Sequence, residues 1–126
     1  MPFARIDLAK GKPPQFRATL ADIVYKGILE VLKAPEGDRF QVVSEHSRDG
    51  LIIDPHYLGI ERSADALIVQ LTLNEGRTTE VKQAFYKALA DELHERLGLR
   101  REDLFVSLVE VSKENWSFGN GIAQYA

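Results

Sequence analysis

No cysteine occurs among the 126 residues. Its absence excludes disulfides, thiolate nucleophiles and cysteine-ligated zinc, and suits a reducing cytoplasm. No apolar run is long enough to span a bilayer, and the start MPFARIDLAKGKPP lacks the apolar stretch of a secretory leader. A soluble cytoplasmic protein is expected. A dominant charge is missing too. The 16 Lys and Arg are set against 19 Asp and Glu, and the net charge of -3 offers no basic footprint to nucleic acid or to an anionic membrane. The three histidines give no metal constellation, and His46, late in a strand with no ligand at suitable spacing, reads as structural. What is present is a 44% hydrophobic chain of single-domain length, enough to build one core.

The organisation shows in a repeat. Residues 2–8 alternate Ala4, Ile6 and Leu8 against Phe3, Arg5 and Asp7, as a short strand does. Gly11 and Pro13-Pro14 end it. Phe16, Leu20, Ile23, Val24 and Ile28 then follow at helical spacing to about Lys33, and a second strand runs from Asp38 to His46. A shift of 65 residues, Gly11 to Gly76, superimposes a second unit without a gap: Leu8 on Leu73, Leu32 on Leu97, Asp38 on Asp103, Phe40 on Phe105, Glu45 on Glu110. The third strand is therefore expected over Ala66–Leu73, a helix over Thr79–Leu97 with Thr78 as N-cap, and a fourth strand over Leu104–Val111.

The expected fold is α/β (α+β): a tandem βαβ repeat forming a four-stranded mixed sheet with two helices on one face, plus short hairpin strands around Asp49–Pro55. A single domain covers 1–126, with repeat 1 at about 2–47, a connector at 48–65, repeat 2 at about 66–112 and a tail at 113–126. Each strand–helix–strand unit implies parallel strands and a right-handed crossover. If a two-fold axis relates the halves, the two first strands lie antiparallel at the centre. Pro2 then falls beside Glu75-Gly76-Arg77, and Asp38 starts at the same edge. The open sheet face, assigned Val43, Ile68, Phe105, Val109 and Val111, would need cover from other copies.

The opening Met1-Pro2-Phe3 gives this edge its chemistry. Methionine before proline is normally removed, and Pro2 would then carry a free secondary amine, a base within reach of neutral pH. Pro2 also suits the plain start of an edge strand. Arg77, at a helix start, suits an anion site as well as a solvated surface charge. Asp38 equally suits a turn residue bonding its own backbone, as its match Asp103 does.

Taken together, the N-terminal proline on duplicated βαβ units resembles the tautomerase superfamily. Within it the chain resembles the malonate semialdehyde decarboxylase group through residues 37–46, Phe85-Tyr86-Lys87, and Asn115-Trp116-Ser117-Phe118-Gly119-Asn120-Gly121. The resemblance implies Pro2 as acid or base, Asp38 positioning or activating water, and Arg77 binding the substrate carboxylate. It implies an apolar wall of Trp116, Phe118 and Tyr125, no cofactor, and a homotrimer. Where the decarboxylase pattern has a second arginine, two residues before Arg77, this chain has Glu75, a further residue expected at the substrate.

Two chemistries follow from that reading. A neutral Pro2 would move a proton alpha to the carbonyl of a small 2-oxo acid, as a keto–enol tautomerase does. A protonated Pro2, favoured by nearby carboxylates such as Glu75, would polarise a 3-oxo acid for decarboxylation, or an unsaturated acid for hydration, with Asp38 handling water. A non-catalytic ligand-binding oligomer is the reading from a different class.

Overall fold

The computed structural model describes residues 2–126. Met1, and so its expected removal, lies outside the described residues. The elements are β1 (Phe3–Ala9), α1 (Pro14–Glu30), β2 (Phe40–His46), β3 (Leu67–Asn74), α2 (Thr79–Leu97) and β4 (Leu104–Val111). The sheet order is β2-β1-β3-β4, with β1/β2 and β3/β4 parallel and β1/β3 antiparallel. This is the expected mixed sheet of two βαβ units meeting at their first strands.

Alternation decides which face is covered. Ala4, Ile6 and Leu8 of β1 and Leu67, Val69, Leu71 and Leu73 of β3 are buried beneath α1 and α2, each burying apolar area worth about 25 cal/mol per Å². The helices pack closely at Gly27, where an added Cβ would stand 3.2 Å from Leu89 and Phe85 side-chain atoms. A larger residue there would make the Leu89 and Phe85 side chains give way by a few tenths of an ångström.

The repeat is visible in the turns. Gly11 and Gly76 follow β1 and β3 with φ of 120° and 119°, a conformation that L side chains rarely adopt. The N-cap of α2 is as expected, with Thr78 Oγ1 accepting the Val81 N–H at 3.2 Å. At the C-terminal ends, the Leu99 N–H bonds the Leu93 carbonyl and the Ala34 N–H bonds the Ile28 carbonyl, the same closure 65 residues apart. Gly98 holds the left-handed position in one copy and Lys33, at φ 60°, in the other. Because Lys33 has turned left-handed, α1 ends at Glu30 rather than at the expected Lys33.

Two further expectations are corrected. Val43 pairs with Ile6 and packs on the helix side, so Phe40 and Val42 take the open face instead. Two adjacent valines leave the pleat undecided until the partner strand sets it. Between β2 and β3 no hairpin strands form among the described residues. Asp54 Oδ1 instead accepts the N–H groups of His56 and Tyr57, both at 2.8 Å, and turns the chain into a short 3₁₀ segment at Tyr57–Gly59. Residues 112–126 likewise form no strand. On the open sheet face Phe105 and Val109 are 47% and 42% exposed, as expected for a surface awaiting cover.

Candidate active site

The sheet register assembles one edge. Phe3 pairs with Phe40 on one side and with Thr72 on the other. The starts of β1 and β2 and the end of β3 therefore meet, bringing together Pro2, Asp38 and the turn at residues 74–77. Pro2 is buried there.

Asp38 sits in a turn anchored to α1, where the Gly37 N–H donates to the Tyr25 hydroxyl at 2.9 Å. Neighbouring Arg39 pairs with Asp22 at 2.8 Å and lies over the Tyr25 ring. Asp38 itself has no such tie. Its Oδ2 is sealed from solvent without a hydrogen-bond partner among the described residues, and burial raises its pKa above the usual carboxylate value.

Asp103, its match in repeat 2, is the opposite case. It is 1% exposed and accepts the Ser63 N–H at 2.7 Å and the Ser63 hydroxyl at 2.5 Å. Among the described residues none clasps the Asp38 Oδ2 in that way. One copy of the turn aspartate is a structural clasp, and the other is left with an oxygen to use.

Arg77 is half-buried, not the exposed charge that its helix-start position suggests. Nε and Nη2 donate to the Leu32 carbonyl at 3.1 and 2.9 Å, and Nη1 donates to the Asn74 carbonyl at 3.2 Å. Desolvation lowers its pKa, opposed by the Glu110 carboxylate. A guanidinium has five N–H donors and stays charged in proteins. With three engaged among the described residues, one N–H remains on each terminal nitrogen, enough to grip a carboxylate with two hydrogen bonds. Glu110 steadies this corner. Lys82 donates to it at 2.9 Å and, together with the nearby Gly76 N–H, holds its carboxyl below the usual range.

The aromatic residues form a connected wall. Trp116 stacks on Phe118 at 5.5 Å and 13°, Tyr125 meets Phe118 edge-on at 5.6 Å, and Phe40 lies 5.7 Å from Phe118. Trp116 Nε1 donates to Asn74 Oδ1 at 2.7 Å. Asn74 thus holds the indole by its side chain and Arg77 by its carbonyl. It also lines a cleft of ≈ 530 Å³ with Glu75, Val111, Ser112, Lys113, Glu114, Tyr125 and Ala126. Pro2, Asp38 and Arg77 do not line this cleft. Sequence reasoning missed Asn74 and Phe40 as site residues; no motif marks Asn74, and Phe40 reads only as a strand position. His46 is on the open face, its Nε2 2.6 Å from Asp7 Oδ1.

Comparison with known proteins places the family and the fold. Two family profiles, each described as "Tautomerase enzyme", match residues 38–119 and residues 2–60. The chain is 38% identical to "Probable tautomerase YusQ" of Bacillus subtilis (strain 168), over 98% of both chains. The chain belongs to the tautomerase family. Among solved structures, FG41 malonate semialdehyde decarboxylase inhibited by 3-bromopropiolate is 35% identical, with a TM-score of 0.91 over 98% of this chain and 93% of that one. A fused 4-OT wild-type symmetric trimer, 23% identical with a TM-score of 0.80 over 98% of this chain and 97% of that one, shares the fold. A tautomerase shifts a proton between carbon and oxygen, and the edge described above holds a buried Pro2 at the same end of the sheet as the partly engaged Arg77 guanidinium.

Proposed function

We propose that the chain is a cofactor-free keto–enol tautomerase of small 2-oxo acids, with Pro2 as its acid–base group and Arg77 as its carboxylate anchor. The observation that carries this reading is Arg77. It is held by main-chain carbonyls at the sheet edge where Pro2 precedes β1, with two N–H donors to spare among the described residues. With Met1 removed, the neutral Pro2 nitrogen takes a proton from the carbon next to the carbonyl. The C–H electron pair forms the C=C bond, the carbonyl π pair moves to oxygen, and Pro2 returns the proton to that oxygen to give the enol; the reverse sequence restores the keto acid. Trp116, Phe118 and Tyr125 hold the apolar end and exclude water, which strengthens the ion pair at Arg77. The test is conversion of phenylpyruvate enol by the processed protein. Turnover lost in both Pro2→Ala and Arg77→Ala variants supports the reading, and turnover retained in both refutes it.

One observation favours a second reaction of the same site. The buried, unpartnered Asp38 Oδ2 suits a carboxylate that takes a proton from water, and the 35% identity to a malonate semialdehyde decarboxylase points to 3-oxo acids. In that lyase mode Pro2 is protonated and polarises the substrate. Asp38→Asn then harms decarboxylation or hydration more than tautomerisation. Assembly as a homotrimer, through the apolar open sheet face, belongs to the same proposal.

A further inference from the structure

The cleft beside the aromatic wall carries its charges on one side of the balance. Of its lining residues Glu75 and Glu114 are acidic and Lys113 is basic; the others are uncharged side chains. Glu75 is fixed there, because its N–H donates to the Val111 carbonyl at 2.9 Å and pins the turn to the end of β4. It precedes Arg77 by two residues. Asn74, next to it, grips both Arg77 and Trp116. The cleft touches neither Arg77 nor Trp116 directly, but Asn74 lines it and bonds both, so a ligand with its carboxylate on Arg77 and its body against Trp116 lies next to the Glu75 end of the cleft. An uncharged body meets the rings. A second carboxylate meets Glu75 and Glu114 with Lys113 alone to offset them, and like charges a few ångströms apart near a protein surface cost on the order of tenfold in affinity.

We propose that Glu75 is a specificity-determining residue, restricting the site to monocarboxylates whose far end is uncharged and apolar and rejecting dicarboxylates. The inference rests on the tautomerase reading for its substrate class, but its test reads binding as well as turnover. Trp116 is the chain's one tryptophan, so its fluorescence reports ligand arrival directly. Titration with 2-oxo-4-methylpentanoate and with 2-oxoglutarate is expected to give affinities at least roughly tenfold apart in favour of the monoanion. Glu75→Gln narrows the ratio by about tenfold, and Glu75→Arg reverses it. Equal affinities in the wild type, no binding of either acid, or a ratio unmoved by both substitutions overturns the proposal. Phenylpyruvate turnover separates the two claims. Selective, Glu75-dependent binding without turnover rejects the tautomerase reading alone, whereas turnover with a ratio indifferent to Glu75 rejects this inference alone.

Discussion

Asp38 and Asp103 occupy the same turn of the two repeats, yet Asp103 is clasped by Ser63 while Asp38 keeps a buried oxygen without a partner among the described residues. Substitutions should separate them. Asp103→Ala leaves the Ser63 N–H and hydroxyl without their acceptor and is expected to cost about 1–3 kcal/mol in urea unfolding. Asp38→Asn should be neutral or stabilising while lowering activity. Its sign depends on pH. A folded-state pKa raised by burial means the carboxyl costs nothing below its unfolded value and destabilises progressively as pH rises through the raised value. Any gain from Asn, up to about 1 kcal/mol for so partly buried a group, should appear at pH 7 and vanish near pH 3. Unfolding midpoints at the two pH values check both halves.

Lys33→Gly should stabilise the fold. Lys33 holds the left-handed position that Gly98 fills in the other repeat. Relief of that conformation, worth about 1–2 kcal/mol, outweighs the added chain entropy of glycine and leaves on the order of 0.5–1 kcal/mol. A melting temperature unchanged or lowered would contradict the argument.

Much of the fold was legible because the 65-residue repeat lets each copy check the other. The bounds of α2 and β4 and the Thr78 cap emerged from pattern alone. The errors have local causes. A left-handed lysine looks like any helical lysine in sequence, so the pattern extends α1 to Lys33, and the adjacent Val42 and Val43 leave the face open until β1 sets it. At the site, topology was enough to bring Pro2, Asp38 and the 75–77 turn to one edge. The Leu32 carbonyl was out of reach, since every residue has a carbonyl, and so was Asn74, whose bond to Trp116 spans 42 residues of sequence.

Arg77→Ala should cost stability as well as activity. Its guanidinium satisfies the Leu32 carbonyl just past the end of α1 and the Asn74 carbonyl at the end of β3. Removal is expected to destabilise by about 1–3 kcal/mol, above the 0.5 kcal/mol typical of surface changes. Arg77→Lys should recover part of the stability but little activity, because an ammonium cannot bridge two carbonyls and grip a carboxylate in one plane. Parallel melts and phenylpyruvate assays read the two effects separately.

The open sheet face predicts assembly. Phe105 and Val109 leave apolar surface that a second copy would cover. Sedimentation at micromolar concentration is expected to give three times the 14.2 kDa chain mass, and Val109→Lys should shift it toward monomer. A stable wild-type monomer would remove the assembly from the account.

The central claim is that a free Pro2 nitrogen does the chemistry. The direct measurement is the rate of phenylpyruvate enol ketonisation in preparations whose N-termini are read by mass spectrometry, one with Pro2 first and one with Met1 retained. The account predicts that activity tracks the fraction of chains beginning at Pro2 and is lost, by a hundredfold or more at the scale typical of acid–base groups, when the nitrogen is an amide. Equal rates in the two preparations would contradict it.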